Sequence, residues 1–107
     1  MSKTLDQILV LAKRNELKVS DHGYDELAAD NISVREIVDS LPQAELLEDY
    51  PDYFKGSCVL LLQLDREEKP IHTVWGIPKG ETSPAVLITA YRPDPLKWSK
   101  DFRRRVK

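Results

Sequence analysis

Three apolar runs, Cys58 to Leu64, Ile71 to Ile77 and Ala85 to Tyr91, constrain this chain more than any other feature. Each has the length of a strand, and each is rich in aliphatic, β-branched or aromatic residues. The connections between them are short and polar: Asp65 to Lys69, closed by Pro70, and Pro78 to Pro84. A parallel crossover needs a dozen or more residues, so an antiparallel meander is expected. Strands this apolar should be covered, at least in part, on both faces.

The segments before the runs carry helical spacing. Thr4 to Arg14 places Leu5, Ile8, Leu9, Leu11 and Ala12 on one side, with Thr4 as N-cap and Asp6 in the first turn. Leu17 to Val19 reads as a short extended piece. A second helix starts at Ser20 or Asp21 and stops at Asp30-Asn31. A third opens on Ser33 with Glu36 three residues later, a capping-box pattern, and ends before Pro42. Ala44 to Tyr50 is a fourth candidate strand of weak β propensity. Pro95 to Arg105 reads as a closing helix in which Trp98 and Phe102 share a face. The fold class is therefore α+β, with an antiparallel sheet of three to four strands, N-terminal helices and a C-terminal helix. At 107 residues the chain fits one domain, 1–107.

Cys58 is the single cysteine and lies inside an apolar run, so it reads as a small buried hydrophobe. With no second cysteine and two histidines far apart, no zinc site is expected, and no cofactor motif is present. The first residues lack the basic start and apolar stretch of a signal peptide, and no run is long enough to span a bilayer. A cytoplasmic location is the expectation, with no membrane contact.

Net charge is close to zero but unevenly spread. Residues 21–52 hold ten acidic side chains and one basic one, Arg35. The last eleven residues hold Lys97, Lys100, Arg103, Arg104, Arg105 and Lys107 against Asp101 alone. A basic end allows a nucleic-acid contact, and an acidic part allows a different partner. A solvated helix end gives the same pattern without either.

Side chains suited to chemistry are few. His22 and Glu26 are four apart on the second helix, so the carboxylate is placed to orient the imidazole; His22 packing the helix start is the plainer reading. His72 lies within a strand, where a core histidine is the plainer reading. Tyr91 ends the third run, next to Arg92. Lys79 sits in the 78–84 loop. Metal-free RNA cleavage needs a base for the 2′-hydroxyl, an acid for the 5′-oxygen and cations on the phosphate. Histidine, tyrosine, arginine and lysine supply these roles, and simple RNA binding would use the same set.

Five motifs occur in order: Ser-Asp-His-Gly-Tyr-Asp-Glu-Leu at 20–27, Glu-Asp-Tyr-Pro at 48–51, Lys-Pro-Ile-His at 69–72, Thr-Ala-Tyr-Arg-Pro-Asp at 89–94 and Trp-Ser-Lys-Asp-Phe-Arg-Arg-Arg at 98–105. Together they resemble a domain-of-unknown-function family of small bacterial proteins, itself similar to the RelE/ParE toxin superfamily with its RelE-, BrnT- and MqsR-like ribonucleases. The resemblance implies a RelE-like fold and the toxin of a type II toxin–antitoxin system. It implies a metal-independent mRNA endoribonuclease acting on mRNA free or on the ribosome, with a cognate antitoxin that carries paired Cys-x-x-Cys zinc ligands of the MqsA type. His22, His72 and Tyr91 would be catalytic, Glu26 would orient, and Lys79, Arg92, Arg103 and Arg104 would bind RNA phosphate. Many relatives carry an arginine near Glu26, where this chain is acidic. A non-catalytic interaction module of the same fold and a ParE-like gyrase inhibitor are the alternatives.

Overall fold

The computed structural model describes residues 2–106. Helix α1 (Lys3–Lys13) leads into strand β1 (Leu17–Val19), helices α2 (Asp21–Ala29) and α3 (Val34–Ser40), and a 3-10 turn at Leu41–Gln43. Strands β2 (Glu45–Tyr50), β3 (Cys58–Leu64), β4 (Pro70–Gly76) and β5 (Ala85–Tyr91) follow. Serine caps all three helices: Ser2, Ser20 and Ser33 each accept a first-turn N–H, and Ser33 with Glu36 completes a capping box.

The sheet is five-stranded and mixed, in the order β1-β5-β4-β3-β2. The meander β2-β3-β4-β5 is antiparallel throughout, with His72 directly opposite Tyr91. The expectation of three to four antiparallel strands is corrected at one edge, where β1 pairs parallel to β5, Leu17 opposite Ala85. The two helices and three strands between β1 and β5 supply the long connection that a parallel pair requires. A register shift between Val74 and Trp75 leaves Ile88 as the extra residue of β5.

One sheet face meets the helices. Val59, Leu61, Ile71, Trp75, Leu87 and Ala90 pack there against Ile8, Leu11, Leu27, Ile37 and Leu41. Burying each such aliphatic chain contributes about 1.5–3 kcal/mol. Gln63, 1 % exposed, centres the polar contacts of this layer. Its amide donates to the Ile37 carbonyl (2.7 Å) and Ser40 Oγ (2.9 Å), and its carbonyl accepts from Thr73 Oγ1 (2.7 Å) and Trp75 Nε1 (3.0 Å).

The C-terminal segment corrects a second expectation: residues 95–105 form no helix. Short polar side chains take the backbone donors that a helix would use. Asp94 accepts the Leu96 N–H (2.9 Å), Asp101 the Arg103 N–H (3.1 Å) and Ser99 Oγ the Arg104 N–H (3.1 Å), while Phe102 sits at φ 60°. The segment turns back on itself, with the Val106 N–H donating to the Lys97 carbonyl (2.8 Å) and Trp98 bridged to Arg105. This tail, not a helix, lies over the second sheet face.

Candidate functional site

Ser20 fixes the start of α2 against the sheet. Its hydroxyl accepts the Gly23 N–H (2.9 Å) and donates to the Ile88 carbonyl (2.8 Å). Gly23 permits the close approach, since a Cβ there would lie 2.9 Å from the Leu87 carbonyl oxygen. One turn of helix then places Glu26 beside β5. A single oxygen, Glu26 Oε1, meets both His22 Nε2 and the Thr89 hydroxyl. Thr89 thus holds the carboxylate and the carboxylate holds the imidazole, which is 71 % exposed.

Tyr91 follows Thr89 by two residues on the same strand face, about 7 Å along β5. Burial pushes its phenol above the ordinary tyrosine range, Arg105 opposes this, and Glu48 and Glu26 add to it. Beside it lies His72, 0 % exposed, with its ring centroid 5.5 Å from Tyr91 and 4.3 Å from Trp98, edge-on to both. His72 Nε2 is 2.8 Å from the Phe102 carbonyl oxygen, so that nitrogen carries the proton. Nδ1 is buried without a partner among the described residues. Burial pushes the His72 imidazole below its ordinary range, and the Phe102 carbonyl only partly opposes this. The ring is a neutral packing element in this arrangement, closed to a solvent-borne substrate.

The guanidinium of Arg105 lies 4.8 Å over the Trp98 ring and donates twice to Glu48 (3.1 Å each), which also accepts from the Tyr50 hydroxyl. These hydrogen bonds, Arg105 first, hold Glu48 below the usual carboxylate range. Sequence reasoning missed Arg105, Glu48, Tyr50 and Trp98. It assumed a helix, in which three consecutive arginines fan outward. In an extended tail they alternate, and two of them face the sheet.

The cations expected to bind phosphate are not gathered. Arg92 is 2.7 Å from the buried carboxylate of Asp65 and also donates to the Pro70 carbonyl (3.3 Å). Burial works against ionised Asp65, yet the Lys69 and Glu67 N–H groups and Arg92 keep it below the carboxylate range. Arg103 pairs with Glu45 (2.7 Å) and Asp101 (3.4 Å). Lys79 is exposed at the opposite end of the β4–β5 pair. Arg104 is exposed and has no ion pair among the described residues. What the fold does bring together is His22, Glu26, Thr89 and Tyr91, with buried His72 alongside and Arg105 at the margin. No three His, Cys, Asp or Glu side chains among the described residues cluster as a metal would require. No helix among them is long and apolar enough to cross a membrane.

Fold and site define a small α+β domain whose second sheet face carries a polar band under a C-terminal strap. The chain belongs to the family described as domain of unknown function (DUF4258), whose model matches residues 19–92. The matched span holds His22, Glu26, His72, Lys79, Tyr91 and Arg92 and stops short of the tail arginines. No curated protein and no solved structure matches the chain.

Proposed function

We propose that this chain is a metal-independent endoribonuclease with a RelE-like fold, the cytoplasmic toxin of a bacterial type II toxin–antitoxin pair. The observation that carries the reading is the exposed imidazole of His22, held by Glu26, whose carboxylate is anchored on Thr89 two residues before Tyr91 on β5. His22 takes the proton of an RNA 2′-hydroxyl, and Glu26 stabilises the imidazolium that forms. The 2′-oxygen attacks phosphorus and the bond to the 5′-oxygen breaks. Tyr91, kept protonated by its raised pKa, donates the proton to that leaving oxygen. The products are a 2′,3′-cyclic phosphate and a 5′-hydroxyl. Arg105, turned from Glu48, and Arg104 stabilise charge on the phosphate. The antitoxin is a small protein with paired Cys-x-x-Cys zinc ligands.

The test is cleavage of free and ribosome-bound mRNA in excess chelator. The expected products end in 2′,3′-cyclic phosphate, and His22→Ala lowers the rate by about 10²–10⁴. Protein that cuts neither RNA and leaves growth unchanged on expression refutes the reading.

One observation favours a second reading, a non-catalytic interaction module. Arg92, Arg103 and Arg105 are taken up by Asp65, Glu45 and Glu48, while Asp21, Asp25 and Asp30 are exposed around α2. A basic partner surface would then dock on α2. Under this reading His22→Ala keeps full biological activity.

A further inference from the structure

A cleft of about 340 Å³ opens on the second sheet face at the end away from Tyr91, between the 51–57 loop and the β4–β5 connection. Its floor is Gly76, Ile77, Val86 and Ile88, and its walls are Tyr53 and Lys55. No carboxylate among the described residues lines it, while Asp52 and Glu81 line the adjoining pocket. Tyr53 is 47 % exposed and Ile88 39 %, and Phe54, beside Tyr53 at 4.9 Å between ring centroids, is 67 % exposed. Lys55 Nζ lies 5.7 Å from the Phe54 centroid.

The walls are set before any ligand arrives. The Ile77 N–H donates to the Ser57 carbonyl (3.0 Å), the Lys79 N–H to the Lys55 carbonyl (3.1 Å) and the Gly56 N–H to the Tyr53 carbonyl (2.9 Å). Gly56 adopts φ +127°, and a Cβ there would fall 2.1 Å from the Ile77 carbonyl oxygen, so the loop closes onto β4 only with glycine. One hydrogen bond joins the main chains of Lys55 and Lys79, which ties the 51–57 loop to the β4–β5 connection.

We propose that this cleft holds a base of a single-stranded RNA, stacked on Tyr53 over the Ile77–Val86–Ile88 floor, with Lys55 on the adjoining phosphate. An apolar floor, an aromatic face and the Lys55 ammonium match the stacking-plus-cation chemistry by which proteins hold unpaired nucleotides. The position also fits. Ile88 and Tyr91 share β5 and lie about 10 Å apart along it, so a strand seated in the cleft runs past Thr89, Glu26 and His22 to Tyr91. The inference rests on the endoribonuclease reading and gives it a substrate-binding subsite remote from the chemistry.

The experiment is fluorescence anisotropy of a labelled twelve-nucleotide uridine RNA. The protein is the full chain carrying His22→Ala, so that binding is read without cutting. Adding Tyr53→Ala weakens binding about tenfold or more, and Tyr53→Phe restores it. Adding Lys55→Ala lowers the slope of log affinity against log salt by about 0.7, one phosphate contact to a single strand. Both side chains are exposed, and unchanged Trp75 emission checks that the variants fold. RNA affinity untouched by Tyr53→Ala and Lys55→Ala, or no RNA binding at low salt, overturns the proposal; the first result leaves the cleft to a peptide ligand. Cleavage with unchanged KM in these two variants, made with His22 intact, overturns the subsite alone. Cleft-dependent binding by a wild-type chain that never cuts supports the subsite and removes the nuclease.

Discussion

His72 makes stability depend on pH in the window below pH 6.5. Its ring is buried between Trp98 and Tyr91, donates from Nε2 to the Phe102 carbonyl, and has no acceptor for a proton on Nδ1. Protonation in place therefore creates a buried cation with an unpaired donor, beside the Arg105 guanidinium that also opposes it. The unfolded imidazole titrates near pH 6.5, and the folded one lies lower. Below pH 6.5 the unfolded chain thus binds a proton that the folded chain refuses. Stability is complete above that pH and falls as pH drops toward the folded value, by at most about 1.4 kcal/mol per pH unit. Between pH 7.5 and 5.5 the loss is at most about 1.4 kcal/mol, which moves a urea midpoint by roughly 1 M or less. The depressed carboxylates Glu36, Glu45, Glu48, Asp65 and Asp101 act lower: their stabilisation is present above about pH 4.5 and is lost as pH falls through their folded values. The assay is urea unfolding followed by Trp75 and Trp98 fluorescence in a His22→Ala background, where His72 is the sole imidazole. The pH 7.5-to-5.5 drop should appear there and vanish when His72→Gln is added, since glutamine keeps an N–H for the Phe102 carbonyl and does not titrate. A midpoint that is level, or higher at pH 5.5, refutes the reasoning.

Gln63→Leu removes four hydrogen bonds, three of them buried, and strands the Thr73 hydroxyl and the Trp75 N–H, while the Ile37 carbonyl and Ser40 hydroxyl keep only their mutual contact (3.4 Å). Urea unfolding should show a loss of about 3 kcal/mol or more although the replacement is apolar and similar in size. Asp65→Ala leaves the Glu67 and Lys69 N–H groups and Arg92 without their shared acceptor, and should cost about 2–4 kcal/mol in the same assay. Arg105→Ala removes an exposed pair and a cation–π contact, together worth about 1 kcal/mol. Its larger effect is local: faster trypsin cleavage at Arg103 and Arg104, and a red-shifted Trp98 emission.

Local chemistry carried most of the fold into view from the residues alone. Ser20 and Ser33 with Glu36 mark helix starts because a hydroxyl three residues ahead of an N–H has few other uses. The runs from Cys58 and Ala85 keep their expected bounds because both their faces are covered, one by helices and the other in part by the tail. Two features stayed hidden, and both depend on distant partners. Leu17 to Val19 reads as extended, as found, but its parallel pairing with β5 depends on residues 68 positions away. The tail carries helix-compatible spacing at Trp98 and Phe102, but Ser99 and Asp101 bond locally and Glu45 and Glu48 draw Arg103 and Arg105 onto the sheet. In the candidate site, the i,i+4 geometry of His22 and Glu26 was readable. The third member was not, since Thr89 lies 63 positions away from Glu26 and only the β5 register delivers it.

The charge asymmetry is where sequence and structure part most usefully. An acidic first half and a basic end look like two surfaces for two partners, yet part of that charge closes within the molecule. Glu45 and Glu48 flank Leu46 and Leu47 on β2 and point the same way across the register shift, toward Arg103 and Arg105 on the tail. Arg103 and Arg105 lie two apart on the tail, while Glu45 and Glu48 lie three apart and reach one face only because the shift leaves Leu47 as an extra residue. Each exposed pair contributes little energy, but two pairs with Trp98 stacked beneath Arg105 fix the path of a segment that has no regular structure of its own. Under the proposed chemistry the consequence is direct. A phosphate at Tyr91 must compete with Glu48 for Arg105, so Glu48→Gln should tighten RNA binding in the His22→Ala protein; unchanged or weaker affinity would place Arg105 outside the substrate path and leave Arg104 as the tail's phosphate contact.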